Sequence, residues 1–177
     1  ALRWFRIAEP PDRVFDEVYS PVFAWKFLRG EPFFDVLPLL AELPHVLGLR
    51  LFGDTPLGWR TGPWLWGIFF TIGVGVFTFL LTGRRRTGLV AATLAVLDIA
   101  FFVYGRTGLP DMFLLATFVW ALALFFLSCR GRSPLTRVLA ALGSGVLLGN
   151  LVATKWFGIG AVALVWAWIG LAVLARR

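Results

Sequence analysis

The sequence predicts an all-α, polytopic membrane protein, and three observations carry that prediction. First, 59% of the 177 residues are hydrophobic and only 15% charged, with a mean hydropathy of +0.81, whereas soluble domains are about a quarter charged. Second, the chain beyond Arg60 falls into runs of 17 to 23 residues almost free of charge, the length at which a helix crosses ~30 Å of hydrocarbon. Third, basic residues collect at alternate ends of those runs. The apolar content excludes a disordered chain, and a single cysteine, Cys129, excludes a disulfide framework or a thiolate metal site.

Residues 1–60 contain no plausible span, because charge or proline interrupts each of their apolar runs, and they read as an extracytoplasmic segment from the placement of the basic residues. Val14–Leu28 carries Phe15, Val18, Tyr19, Val22 and Phe23 near helical spacing, with Pro21 as a break. Phe33–Phe52 is punctuated by Asp35, Pro38, Glu42, Pro44, His45 and Arg50. Both stretches suit helices lying in the membrane interface with one apolar face in the headgroup region. Residues 61–177 form the transmembrane domain, with spans expected at about 61–83, 87–105, 112–129, 138–154 and 156–175. The last two are joined by a tight turn around Lys155. Ala1–Arg6 reads as the outer end of a preceding span, and the chain as a piece of a larger multi-pass protein.

Orientation follows from the arginines, since basic residues in short loops stay cytoplasmic. Arg84, Arg85 and Arg86 follow the first span, Arg130, Arg132 and Arg137 the third, and Arg176 and Arg177 the fifth. These eight residues explain the net charge of +7; the rest of the chain is close to neutral, so the basic pI implies no nucleic-acid partner. The opposite, outer side then receives residues 1–60, the Tyr104–Asp111 connection and the Lys155 turn. Trp59, Trp64, Trp66 and Trp156 fall at that boundary, where indole rings settle, and Trp166 and Trp168 read as packing residues.

Charged side chains at membrane depth cost at least ~2.5 kcal/mol and usually face a protein interior or a cavity. Asp98, Arg106, Asp111 and Lys155 are the residues to weigh, with Asp16, Glu17 and Arg60 from the loop side. All but Asp98 gather at the outer face. Asp98 lies eight residues before Arg106, roughly 12 Å deeper at helical rise, where it suits an interhelical hydrogen bond or a buried ion pair. Arg106 and Lys155 could snorkel to headgroups, and Asp111, after Pro110, could cap a helix. His45 has no partner at a ligand spacing and does not suggest a metal site.

Several ordered segments together resemble the N-terminal part of the protein O-mannosyltransferase family, the phospholipid-carrier-dependent membrane glycosyltransferases of the GT-C type. Phe15-Asp16-Glu17-Val18-Tyr19 matches the family's FDExY motif. Glu31 to Pro38, with Phe33-Phe34-Asp35-Val36, is similar to its YFFDVHPPLGK segment, although Leu37-Pro38-Leu39-Leu40-Ala41-Glu42 stands where the family has HPPLGK and so lacks both its histidine and its lysine. Leu51-Phe52-Gly53-Asp54, Trp59-Arg60 and Pro63 resemble an FGD…R..P stretch. Asp98, Arg106 and Asp111 reproduce a D-x7-R-x4-D spacing, with Gly105 in place of a serine, and Ala153-Thr154-Lys155-Trp156-Phe157-Gly158 resembles an ATKWTG segment.

The resemblance implies a membrane glycosyltransferase, or a fragment of one, that transfers a sugar such as mannose from a polyprenyl-phosphate donor to a hydroxyl acceptor, with inversion. It implies Asp16 as the general base, Glu17 as a residue positioning sugar or acceptor, Arg60, Arg106 and Lys155 as cations gripping the donor phosphate, and Asp111 as a residue orienting Arg106 or the sugar. Asp98 is structural or substrate-binding. The implied partners are the polyprenyl-phosphate sugar donor, a protein or lipid hydroxyl acceptor and the lipid bilayer. The implied location is a bacterial plasma membrane with an extracytoplasmic site. Dimers occur in the family, and a divalent cation is the one cofactor left open. A relative acting on a lipid or polymer, or a catalytically degenerate membrane protein with a structural role, are the alternatives.

Overall fold

The computed structural model describes residues 4–35 and 37–174. Ala1–Arg3 of the expected preceding span, and Arg176 and Arg177 of the third basic cluster, lie outside the described residues. Among those described, every regular element is helical. The helices are α1 (Ser20–Arg29), α2 (Leu43–Phe52), α3 (Pro56–Thr82), α4 (Arg85–Leu97), α5 (Ile99–Tyr104), α6 (Asp111–Arg130), α7 (Pro134–Val152) and α8 (Gly158–Leu174), with 3₁₀ turns at Phe15–Val18 and Leu39–Ala41. Three of them, α3, α6 and α7, are long and apolar enough to cross a bilayer. The outward faces of α4, α7 and α8 expose large apolar side chains, among them Leu89, Leu94, Leu139, Leu142, Leu164 and Leu171, as hydrocarbon permits and water does not. The chain is an all-α integral membrane protein.

Local chemistry sets the helix ends. The Thr55 hydroxyl accepts from the Gly58 N–H at 3.2 Å, with Pro56 at the first helical position of α3. Ser133 does the same for α7, accepting from Thr136 N–H at 3.1 Å ahead of Pro134. Asp98 does not make the interhelical bond or ion pair expected of it. Its backbone is extended (ψ 126°), it ends α4 and starts α5, and its exposed carboxylate accepts from the Phe101 N–H at 3.1 Å. The second expected span is therefore two helices, because aspartate caps a new helix more readily than it continues an old one.

α3 is the organising element, packed on α2, α4 and α6, while α7 packs on α6 and α8 on α7. Phe70, Met112, Ala116 and Val119 form the buried centre, and Trp66 meets Phe113 edge-on at 4.6 Å. The Trp120 indole N–H donates to the Phe69 carbonyl at 3.0 Å, and Ser144 donates to the Ala121 carbonyl at 2.9 Å, so α6 is tied to both neighbours. The turns after α3 and α6, which carry Arg84–Arg86 and Arg130–Arg137, share one end of the bundle. The connections after α5 and α7 meet the 4–55 segment at the other.

Residues 43–52 do more than lie at an interface. Pro44, His45, Gly48 and Leu49 are buried against α3, and glycines allow the approach: a Cβ on Gly62 would fall 1.6 Å from the Pro44 carbonyl oxygen, and one on Gly48 2.1 Å from that of Gly58. Trp59 belongs to this contact, buried at 5% exposure beside Ala24 and Leu49, and is not a boundary residue. Trp166, expected to pack, is exposed, whereas Trp168 sets its ring edge against Phe125 at 5.2 Å.

Candidate functional site

The acidic pair Asp16-Glu17 sits in a 3₁₀ turn, Phe15–Val18. Three residues per turn rotate successive side chains by about 120°, so adjacent acids face different surroundings. Asp16 points to an open pocket; Glu17 is 0% exposed.

Glu17 closes a buried ion pair with Arg60. The Arg60 Nε donates to one carboxylate oxygen and Nη2 to the other, both at 2.8 Å. The Val14 N–H (3.0 Å) and the Gly108 N–H (2.6 Å) complete the shell of the carboxylate. Burial alone would raise the Glu17 pKa, but the Arg60, Gly108 and Val14 hydrogen bonds together outweigh it and hold the carboxyl below its ordinary value. Gly108 is required here, because a Cβ would lie 2.9 Å from the Trp59 ring and 3.3 Å from Glu17.

The remaining donors of Arg60 go to backbone: Nη1 to the carbonyls of Ile7 (3.1 Å) and Pro10 (2.8 Å), Nη2 to that of Asp12 (3.2 Å). A guanidinium has five N–H groups, and these contacts use all of them. With 1% exposure, Arg60 gathers the N-terminal segment around Glu17 and does not reach the pocket.

The pocket itself has a volume of about 490 Å³. Asp16, Tyr19, Ser20 and Phe23 enter from the 3₁₀ turn and α1, Phe34, Asp35 and Leu37 from the segment that follows, Leu109–Asp111 from the start of α6, and Lys155–Phe157 from the α7–α8 turn. That last turn is pinned in place by the Leu40 N–H, which donates to the Ala153 carbonyl at 3.2 Å. Lys155 Nζ donates to the Asp111 carboxylate at 2.8 Å, with side chains 20% and 24% exposed. Asp111 makes no cap to its own helix; its partner is a lysine 44 residues away, and Lys155 is tethered at the site.

Of the residues singled out in the sequence, Asp16, Asp111 and Lys155 therefore meet in one cavity, with Glu17 and Arg60 directly behind. Arg106 stands apart: Nη2 donates to the Arg6 carbonyl at 2.7 Å, and the guanidinium lies over the Phe102 ring at 5.4 Å. It lines a separate, shallower hollow of about 250 Å³ with Glu9 and Thr107. Asp98 sits at the α4–α5 break and does not line the pocket. Among the described residues, no group of three or more His, Cys, Asp or Glu is arranged to hold a metal ion.

Three contributors escaped the sequence reading. Asp35 is in the pocket wall, and its place within the Phe33–Val36 segment was the available signal. Glu42 is fully buried behind it, and Gly108 acts through its backbone, which no side-chain pattern reveals.

The chain is similar to polyprenol-phosphate-mannose–protein mannosyltransferases, 28% identical to that of Mycolicibacterium smegmatis over 89% of this chain and 36% of the relative, and 30% identical to that of Corynebacterium glutamicum over 62% of this chain and 24% of the relative. It is also 28% identical to dolichyl-phosphate-mannose–protein mannosyltransferase 1 of Saccharomyces cerevisiae, over 99% of this chain and 23% of the relative. The chain thus spans about a quarter to a third of the length of the curated relatives it matches. No protein-family model and no solved structure matches it.

Proposed function

We propose that this chain belongs to the family of polyprenol- and dolichyl-phosphate-mannose protein mannosyltransferases, carries the sugar-transfer site of such an enzyme and moves mannose from a polyprenyl phosphate to a hydroxyl, that of a protein by analogy with the relatives' names. The observation that carries this reading is the meeting of the Asp16 carboxylate and the Lys155 ammonium in one pocket at the bundle end opposite the arginine turns. A lipid-linked sugar requires a site of this kind, since its tail lies in the bilayer and its sugar at the surface.

Transfer needs a base for the acceptor and fixed positive charge for the leaving group. Asp16 takes the acceptor hydroxyl proton as the oxygen forms its bond to the sugar's anomeric carbon. The bond from that carbon to the phosphate oxygen breaks on the opposite face, so configuration inverts, and polyprenyl phosphate leaves with the electron pair. Lys155 offsets the charge it develops; of three N–H donors, one is held by Asp111 and two are left for phosphate. Glu17 and Arg60 keep the 3₁₀ turn in register so that Asp16 faces the cavity. Arg106 anchors the outer segment through the Arg6 carbonyl. By the charge rule, the site faces the extracytoplasmic side, in a bacterial cell that of the plasma membrane.

The test supplies the full-length protein in lipid nanodiscs with labelled polyprenyl-phosphate-mannose and a Ser/Thr peptide. Transfer should occur, and Asp16→Asn should abolish it while expression and membrane insertion stay intact. Near-normal turnover by that variant would overturn the base assignment, and label passing only to an added lipid acceptor would overturn the protein acceptor.

A further inference from the structure

Glu42 is a buried ionisable group to which the transfer scheme gives no task. It precedes α2 and is 0% exposed; neither carboxyl oxygen accepts a well-formed hydrogen bond, and the polar groups that bear on it are the Asp35 carboxyl and the Ala24 backbone. An ionised carboxylate so placed would carry a large desolvation penalty, and a group in this position keeps its proton instead. Burial first, and the facing Asp35 carboxyl second, push its pKa up to about 9. Asp35 is the charged group that bears on it. α1 contributes only the backbone of Ala24, which acts in the opposite direction. Of the ionisable groups on the packed helices, His45 of α2 is turned to the Trp59 carbonyl and Arg60 of α3 is committed to Glu17.

Asp35 in turn lines the pocket that holds Asp16 and Lys155. One of its oxygens accepts from the Leu37 N–H at 3.1 Å, which orients the carboxyl. A neutral acid facing this carboxylate holds it by donating a hydrogen bond.

We propose that Glu42 is a positioning residue of the transfer site: it stays protonated and donates to Asp35, so that the pair shares one proton and one negative charge and Asp35 presents its carboxylate to a hydroxyl of the bound sugar. This rests on the reading of the pocket as a sugar-transfer site. Above about pH 9 Glu42 ionises, two carboxylates then repel, and Asp35 loses its orientation.

Infrared titration of the protein in nanodiscs tests the pair without turnover. The expected result is a protonated-carboxyl C=O band at pH 7 that disappears as pH rises through about 9, is absent from Glu42→Gln, and titrates at lower pH in Asp35→Asn, where the like charge is gone. A missing Glu42-dependent band at pH 7, or an unchanged midpoint in Asp35→Asn, overturns the proposal; these outcomes do not depend on the transferase reading. Should Glu42→Gln fail to fold, the wild-type and Asp35→Asn midpoints decide it. In the mannosyl-transfer assay, the Glu42→Gln pH profile, normalised to its own maximum, should lose the alkaline decline of the parent. A Glu42→Gln profile that declines as the parent does overturns the positioning role.

Discussion

The Nδ1 of His45 stands 3.0 Å from the carbonyl of Trp59, the backbone oxygen of α3 that Pro63 deprives of its helical partner. Proline has no N–H, so the carbonyl four residues earlier is left unsatisfied. A carbonyl only accepts, so the imidazole carries its proton on Nδ1. Nε2 is buried without a partner, and desolvation pushes the His45 pKa down to about 4. One side chain of α2 thereby repairs a defect in α3 and locks the two helices together.

His45→Ala should destabilise the protein by about 1–3 kcal/mol, the cost of an orphaned buried carbonyl, read from thermal unfolding in detergent. The same residue makes stability depend on pH. The unfolded imidazole binds a proton below about 6.5 and the folded one only below about 4, so the stability it contributes is lost as pH falls through that window. Glu42, whose folded pKa is raised, acts in the opposite direction above about 4.5, so the measurement is a difference. His45→Asn can still donate but does not titrate, and its melting temperature should fall less than the parent's between pH 6.5 and 4.5. Parallel curves would contradict the neutral imidazole.

Arg60→Lys should be destabilising by about 3–5 kcal/mol although it keeps the charge, because the other partner of a buried pair is left poorly compensated. A lysine has three donors at a point, against the five directed contacts that Arg60 makes to Glu17, Ile7, Pro10 and Asp12. Limited proteolysis of the N-terminal segment should accelerate in parallel with the lower melting temperature. An unaltered cleavage rate would mean that Arg60 does not hold that segment.

Gly62→Ala tests the α2–α3 approach. Its Cβ would overlap the Pro44 carbonyl, 1.6 Å away, and backbone cannot yield as a flexible side chain does. Separation of the helices would cost about 1–3 kcal/mol or more, as for overpacked cores, and would break the His45–Trp59 bond as well. The control is Gly145→Ala in α7, where a Cβ meets nothing within 4 Å; its melting temperature should stay at the parental value. Equal melting temperatures for the two variants would refute the contact.

What the sequence makes legible here is what the bilayer dictates residue by residue. Span length and exclusion of charge mark the helices beyond Arg60, and the arginine turns after α3 and α6 fall at one end of the bundle. Asp98 escapes that reading because one aspartate can pair, bend or cap, and only its backbone conformation decides. Asp16 and Glu17 are neighbours with equal claims to the pocket, and which faces it depends on a 3₁₀ turn that composition does not mark. Arg60 carries the charge that a phosphate would need, but the carbonyls that use up its donors belong to Ile7, Pro10 and Asp12, some 50 residues away in a segment without periodicity.

Under the proposed transfer scheme, Lys155 and Asp111 give the sharpest separation of donor binding from folding. Both are partly exposed, so neither should be essential to stability, and melting temperatures of Lys155→Ala and Asp111→Asn should stay within a few degrees of the parent. A charged hydrogen bond contributes about 1.5–3 kcal/mol, so loss of the ammonium from the leaving phosphate should lower kcat/KM for polyprenyl-phosphate-mannose by roughly ten- to a hundredfold. Asp111→Asn keeps the ammonium but releases its tether, and should cost less. Raising ionic strength should weaken donor binding by the parent more than by Lys155→Ala, because screening acts on the charge that the variant lacks. A Lys155→Ala enzyme with parental kcat/KM and parental salt dependence would remove Lys155 from the phosphate site.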